Sequence, residues 1–216
     1  MLRVGLTGGI ACGKSTVSRM FRDLDIPILD ADPLAHELLE PGQPVYDQVL
    51  AEFGDAVLAA DKSVDRARLG ALVFADPAKL HRLNEIIHPH VVEIVDRWFA
   101  TLDQPGGPPI AIVEAALLIE AGYRPKLDRL VVVRCTPGQQ LARLRERGLN
   151  EVQAQQRITS QMPIGEKVAA ADDVIDCGGT FEETSRQVRD LAARLKLQAA
   201  MVAPASLPAS GEPKVS

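Results

Sequence analysis

The sequence predicts an α/β fold in which helices cover both faces of a mostly parallel, five-stranded sheet. Short apolar runs alternate with helical patterns, the runs lack polar alternation, and turns rich in glycine or proline separate them. The 216 residues are 46% hydrophobic and 25% charged, the composition of an ordinary globular protein. A chain of this length can bury enough surface to form a core without a disulfide or a structural metal.

The first half of the chain predicts two strands followed by several helices. An apolar run at Leu2–Thr7 leads through glycines into a helix at Lys14–Leu24. A second strand follows at Ile26–Leu29, and Pro33 suits the first turn of a helix that ends at Glu40. Apolar residues every three or four positions then predict a helical insert with helices at Val45–Phe53, Arg66–Val73 and Pro77–Phe99.

The second half returns to strands that alternate with helices. Apolar runs predict buried strands at Ile110–Val113, Leu130–Val133 and Asp173–Ile175. Helical patterns lie between and after them, at Gly138–Arg147, Glu151–Gln161 and Phe181–Leu197.

We predict one domain over residues 1–202. Its core comprises about 1–40 and 108–196, a helical insert about 41–105 and a helical lid about 138–162. Residues 203–216 are rich in proline, alanine and serine, which predicts a disordered tail.

Charge and composition argue against several classes of partner. The net charge is -5 and the only cluster of basic residues lies at Arg143–Arg147, so we expect no nucleic-acid partner. No apolar run approaches the about 18–20 residues of a membrane-spanning helix, and no secretory signal precedes Gly8, so we expect a cytoplasmic protein without a membrane partner. The cysteines, Cys12, Cys135 and Cys177, match no metal or redox spacing and are expected to be reduced.

Residues 8–15 fit the phosphate-binding pattern G-x-x-x-x-G-K-[ST]. Glycines let backbone N–H groups approach phosphate oxygens, and the N-terminus of the following helix adds its positive dipole end. Lys14 is expected to reach the β- and γ-phosphates, and the Ser15 hydroxyl is expected to contact Mg²⁺. The predicted ATP-binding residues are Gly8, Gly9, Ile10, Ala11, Cys12, Gly13, Lys14, Ser15 and Thr16. This loop makes the predicted fold a P-loop three-layer sandwich.

Two carboxylates follow the second predicted strand, in Asp30-Ala31-Asp32. Side chains alternate along an extended segment, so both carboxylates would lie on the same side. A carboxylate near the γ-phosphate can accept a hydroxyl proton, which makes Asp32 or Asp30 the candidate general base. The alternative is that Asp32 only caps the helix that begins at Pro33.

Two arginines four positions apart, Arg143 and Arg147, would lie on one face of a helix, where both could bind phosphate oxygens. Such a helix could form a lid that excludes water, and the alternative is a solvated charged face. His88 lies before Pro89, so we expect it to end one helix and either cap it or line a substrate cleft.

Five stretches of the sequence resemble the dephospho-coenzyme A kinase family, over about residues 2–196. They are residues 4–16 with the phosphate loop, Asp30–Asp32, Leu83–Pro89, Gln140–Arg147 with Arg157 and Gln161, and Ala171–Asp176. The resemblance implies a fold similar to nucleoside monophosphate kinases and transfer of the ATP γ-phosphate to the ribose 3′-hydroxyl of dephospho-CoA, with Mg²⁺.

The resemblance also implies roles for single residues. Asp32 looks like the general base, Lys14 holds the triphosphate, and Arg143 looks like the lid arginine, which contacts ATP and assists catalysis. His88 and Pro89 would belong to the substrate-binding region together with Asp32. The sequence departs from the family pattern at Ala11-Cys12, Ala115-Ala116 and Cys177, none of which removes a group that the transfer requires.

The same residues are compatible with other functions. The phosphate loop and one carboxylate would equally permit another small-molecule kinase, acting on a nucleoside monophosphate or a shikimate-like alcohol; the Leu83–Pro89 stretch argues against it. A GTP-dependent switch would need an Asn-Lys-x-Asp sequence, which is absent. A nucleotide-binding module without activity conflicts with the presence of Lys14, Ser15 and Asp32. The sequence favours a monomer but leaves an oligomer open.

Overall fold

The computed structural model describes residues 1–202, so the tail predicted over 203–216 lies outside the described residues. All five strands pair in parallel, in the order β2-β3-β1-β4-β5. They are β1 Leu2–Gly8, β2 Ile28–Asp30, β3 Ile110–Glu114, β4 Arg129–Arg134 and β5 Asp173–Asp176. The α/β fold with a five-stranded sheet is therefore confirmed, and the sheet is parallel throughout.

Helices occupy the segments between the strands and follow the last one. In chain order they are α1 Lys14–Arg22, α2 Asp32–Glu37, α3 Pro44–Phe53, α4 Arg66–Phe74, α5 Pro77–Leu102, α6 Pro137–Glu146, α7 Glu151–Thr159, α8 Ile164–Ala169 and α9 Phe181–Val202. Single 3₁₀ turns lie at Asp55–Val57 and Arg124–Lys126.

Two apolar clusters pack against the sheet, and a third lies within the helices that separate β2 from β3. One sheet cluster joins α1 and α9 to β1 through Phe21, Leu195 and their neighbours. The other joins the C-terminal half of α5 to the sheet through Phe99 and Val113. This insert cluster has its own buried residues, among them Val45, Val49, Leu69, Val73, Leu83 and Ile87, and it extends to Leu38 at the end of α2. The sheet is thus the middle of three layers, and the insert carries a core of its own.

The expectation that His88 ends a helix is wrong. Helix α5 is continuous over Pro77–Leu102 and contains Pro89. An internal proline removes one backbone hydrogen bond and costs about 3 kcal/mol. The helix buries apolar side chains before and after this position, in the insert and against the sheet, and this packing offsets the local cost.

Helix α8 was not predicted from the sequence. It has six residues, begins after Pro163 and contains Gly165, so it is too short to show a helical period. Its position matters because it carries the fully buried Lys167.

Candidate active site

The phosphate loop connects β1 to α1 at the carboxyl edge of the sheet. Two of its residues have left-handed backbone angles, Ala11 with φ 59° and Gly13 with φ 97°. Gly8 has no room for a side chain, because a Cβ there would lie 2.3 Å from the carbonyl oxygen of Val133. No side chain caps α1 and its first turn holds no acidic residue, so its N–H groups are available to an anion.

Lys14, at the start of α1, forms two short ion pairs across the sheet edge. Its Nζ lies 2.9 Å from Oδ2 of Asp32 and 2.9 Å from Oε1 of Glu114. Burial lowers the pKa of Lys14, but the charges of Asp32 and Glu114 outweigh this effect, and the pKa lies above its ordinary value. Lys14 is therefore a firmly charged ammonium group at the centre of the site.

Asp32 does not act as a helix cap. The start of α2 has no side-chain cap, and both carboxylate oxygens of Asp32 bind elsewhere. Oδ1 accepts a hydrogen bond of 3.0 Å from the backbone N–H of Ala116, while Oδ2 accepts from Lys14. The side chain is still 43% exposed, so a substrate can reach it. The cap interpretation is wrong, and the carboxylate is held in place by donors from two other elements.

Asp30 and Glu114 complete an acidic group around Lys14. They are paired in register on the adjacent strands β2 and β3. Burial raises the pKa of Asp30, and the neighbouring charge of Glu114 raises it further, although Lys14 opposes the shift. Oδ1 of Asp30 accepts from the backbone N–H of Asp32 at 3.1 Å, so Asp30 supports the backbone of the base candidate.

The segment α6–α7 packs onto the phosphate loop. Arg143 donates to the carbonyl oxygens of Ala11 at 3.2 Å and Cys177 at 3.1 Å. Gln140 donates to the Ile10 carbonyl at 2.8 Å, and the Ile10 N–H donates to Gln161 at 2.9 Å. The structure thus brings Arg143 to the loop. Arg147 follows the last residue of α6 and is exposed, so the pair does not converge.

A cavity of about 380 Å³ separates the phosphate loop from the insert. Asp32 and Ile10 line it on the loop side, and His88 lines it from α5. Its walls are mostly apolar, and two arginines, Arg66 and Arg157, also contribute. The structure brings His88 but not Pro89 to this cavity, because Pro89 is exposed and is not among the lining residues.

The three cysteines are free, as predicted, and the structure shows that they are also buried. The sulfur atoms of Cys12 and Cys135 lie 3.0 Å apart, under the phosphate loop. Sulfur of Cys177 lies 3.3 Å from the place where a Cβ of Gly13 would be. Cys135 and Cys177 therefore pack against the phosphate loop, and all three cysteine side chains belong to the apolar core.

Sequence reasoning missed Glu114 and Lys167. Glu114 had a usable signal, since it is the charged residue that ends the apolar strand Ile110–Val113 at the carboxyl edge, where ligands bind in α/β folds. Lys167 had none, because one lysine in an unpredicted six-residue helix looks like any surface residue.

Residues 1–202 contain no helix that is long and apolar enough to cross a membrane. Within the same range no group of three or more His, Cys, Asp or Glu side chains is arranged to hold a metal ion.

The parallel sheet, the glycine loop between β1 and α1, and the lysine that it presents to a carboxylate define a P-loop kinase. The family profile for dephospho-CoA kinase matches residues 2–183. The chain belongs to the dephospho-CoA kinase family.

Individual relatives agree with this assignment. A dephospho-CoA kinase from Bacillus cereus is 44% identical over 186 residues, which cover 86% of this chain and 92% of the relative. The crystal structure of TT1252 from Thermus thermophilus is similar, with a TM-score of 0.74, 30% identity and coverage of 90% of this chain and 97% of that one. A dephospho-CoA kinase from Campylobacter jejuni has a TM-score of 0.66, 25% identity and coverage of 91% and 98%.

Proposed function

We propose that this protein transfers the γ-phosphoryl group of ATP to the ribose 3′-hydroxyl of dephospho-CoA, giving CoA and ADP in the last step of coenzyme A biosynthesis. The observation that carries the proposal is the contact of 2.9 Å between Lys14 of the phosphate loop and Asp32, which lines the neighbouring cavity. A group that can bind the donor phosphate thus lies beside a group that can activate an acceptor.

ATP would bind at the loop Gly8–Thr16, with its phosphates over the N-terminus of α1. Lys14 would exchange its contacts with Asp32 and Glu114 for the β- and γ-phosphate oxygens, which carry more charge. Arg143 already contacts the loop carbonyl of Ala11 and would add a second cation near the phosphates.

Asp32 would accept the proton of the 3′-hydroxyl as that oxygen attacks the γ-phosphorus. Once Lys14 turns to ATP, Oδ2 of Asp32 becomes available, while Oδ1 stays bound to the Ala116 N–H. The carboxylate would therefore be oriented by one fixed hydrogen bond and would present its other oxygen to the acceptor.

The acceptor would occupy the cavity beside Asp32. Its apolar walls suit the pantetheine arm, and Arg66 and Arg157 at its lining suit the phosphate groups of dephospho-CoA. Burial lowers the pKa of His88, although the charge of Glu120 opposes this shift. His88 would therefore contribute a neutral imidazole to the cavity. We assign Pro89 only a supporting role in the same helix.

The site fits Mg²⁺. Ser15 is exposed at the first turn of α1, next to Lys14. Hydroxyl and carboxylate oxygens, with the phosphates of ATP, are the donors that Mg²⁺ prefers. Ser15 would hold the ion together with the nucleotide, and bound Mg²⁺ supplies neutralisation of phosphate charge.

The division of residues 1–202 into a core, a substrate-binding insert and a lid is part of the proposal. The separate apolar core of the insert and the contacts of α6–α7 with the loop support it. A cytoplasmic location, a monomeric state and the absence of nucleic-acid and membrane partners stay predictions from the sequence.

The test is ADP formation from Mg-ATP with dephospho-CoA, shikimate and nucleoside monophosphates in parallel. We expect stimulation by dephospho-CoA alone, with a product heavier by one phosphoryl group. Stimulation by another acceptor instead would overturn the proposed substrate but not the phosphate site. Lys14→Ala is the control for adventitious ATPase activity.

A further inference from the structure

Lys167 on α8 is a lysine with no exposed surface. It does not line the cavity between the phosphate loop and the insert. Its Nζ lies 2.7 Å from the carbonyl oxygen of Ala116 and 2.9 Å from Oε1 of Glu120. Burying an ammonium group costs several kcal/mol of desolvation, which contacts of this kind only partly return. A buried lysine therefore needs an explanation beyond stability.

Ala116, the residue that Lys167 contacts, is bound on both sides of its Cα. Its carbonyl accepts from Lys167 and, at 3.2 Å, from the hydroxyl of Thr7 at the end of β1. Its N–H donates to Oδ1 of Asp32 at 3.0 Å. Two donors thus hold the peptide unit on one side of the Ala116 Cα, and the N–H of the peptide unit on the other side reaches Asp32.

The ion pair of Lys167 and Glu120 leaves one carboxylate oxygen of Glu120 without a hydrogen bond in the described residues. Its Oε1 accepts from Lys167 and, at 3.0 Å, from the N–H of Met162, which precedes α8. Its Oε2 is buried without a hydrogen-bond partner in the part of the chain that the structure describes. A buried carboxylate with an unpaired oxygen destabilises a fold. Apolar side chains in this space would destabilise the fold less than the ion pair of Lys167 and Glu120 does. We therefore ascribe to this ion pair a role in positioning its neighbours rather than in stability.

We propose that Lys167 is a positioning residue for the phosphoryl transfer. It holds Ala116 so that the Ala116 N–H orients the carboxylate of Asp32. This inference rests on the proposed role of Asp32 as general base. It adds that the orientation of the base is set from α8, a helix that contributes no side chain to the cavity.

The same contacts join the base to the end of the α6–α7 segment. The side chain of Gln161 accepts a hydrogen bond from the Ile10 N–H of the phosphate loop. The backbone N–H of the next residue, Met162, donates to Glu120. Glu120 in turn binds Lys167. The donor loop and the acceptor base are therefore positioned by one connected group of polar contacts.

The first experiment measures kcat and KM for Lys167→Met, a variant of similar side-chain length without the ammonium group. We expect kcat to fall at least about 10-fold while KM for ATP changes less than about 2-fold, because the phosphate loop is intact. Lys79→Met, an exposed lysine on α5, is the matched control and should keep wild-type kcat. Wild-type kcat in Lys167→Met would overturn the proposal.

Removing Lys167 alone leaves the charge of Glu120 buried, so the single variant is expected to unfold at a lower temperature. The double variant Lys167→Met with Glu120→Gln removes that charge and keeps an acceptor for the Met162 N–H. We expect its Tm to return towards wild type while kcat stays low. Recovery of kcat together with Tm would show a structural role only and would contradict the inference.

A double-mutant cycle with Asp32→Asn separates this proposal from the one on which it rests. If Lys167 acts through Asp32, Lys167→Met should reduce the residual rate of Asp32→Asn by less than about 2-fold. Multiplicative effects of the two substitutions would overturn the role of Lys167. Wild-type turnover in Asp32→Asn alone would instead overturn the proposed base, whatever Lys167→Met does.

Discussion

Lys14 and Asp32 lie 18 positions apart in the sequence, on two different helices, and their charged groups meet at 2.9 Å. The contact exists because β1 and β2 lie on either side of β3 and end at the same edge of the sheet, so α1 and α2 begin close together. The ammonium group of Lys14 therefore offsets the charge of the Asp32 carboxylate. ATP is expected to take the lysine away and leave that carboxylate free to act.

Asp32→Asn should reduce turnover by about 100-fold or more, because general base catalysis typically contributes 10²–10⁴-fold. ATP affinity should remain within a few-fold of wild type, since the phosphate loop is unchanged. Steady-state kinetics with dephospho-CoA and calorimetric titration with ATP measure the two quantities. A turnover near wild type would remove Asp32 from the mechanism.

Lys14→Ala should weaken ATP binding and slow the chemical step together, because one ammonium group serves both. The substitution also leaves Glu114, which is 3% exposed, without its short ion pair, so the Tm should fall as well. Lys14→Arg keeps the charge and is the control for this loss of stability. Unchanged ATP affinity in Lys14→Ala would contradict the assignment of the loop as the phosphate site.

Asp30→Asn should stabilise the nucleotide-free protein at neutral pH. Burial and the charge of Glu114 raise the pKa of Asp30 above its ordinary value of 3.8, so the folded protein holds this proton more tightly than the unfolded chain. The ionised carboxylate therefore destabilises the fold once the pH exceeds the folded pKa. The gain in Tm should be largest near pH 7 and vanish below about pH 3.8. An equal gain at both pH values would show that charge is not its cause.

His88 should make the protein less stable as the solution becomes mildly acidic. Burial lowers the pKa of His88 below its ordinary value of 6.5, with Glu120 opposing, so the unfolded chain binds the proton more readily. Stability is then lost as the pH falls below about 6.5. His88→Gln should flatten this part of the Tm profile. The same slope in His88→Gln and in the wild-type protein would exclude His88 as its source.

Most of the fold could be predicted because its buried strands are continuous apolar runs and its core-facing helices repeat apolar residues every three or four positions. The continuous apolar runs of β1, β3 and β4 and the glycines after β1 are local features of the sequence. Helix α5 shows the limit. Pro89 predicts a break by a local rule, and only the packing of both halves of the helix against the rest of the chain keeps it continuous.

In the candidate site, too, local motifs could be predicted from the sequence, whereas long-range contacts could not. Gly8, Lys14 and Ser15 follow from a motif with fixed spacing, and Asp32 follows from its place after a strand. The contacts of Glu114 and Lys167 depend on which strands are neighbours and which backbone groups face each other across 51 to 100 positions. Such contacts have no local pattern, so the sequence could not reveal them without the fold.

Helix α5 belongs to two cores at once. Its Leu83 is buried within the insert, and its Phe99 is buried against the sheet, within one helix of 26 residues. The helix therefore joins the packing of the insert to the packing of the sheet. A movement of the insert relative to the sheet would require α5 to bend or the buried contacts of Phe99 to break. Pro89, which lacks a backbone N–H, lies between the two anchors, at the point where bending costs least.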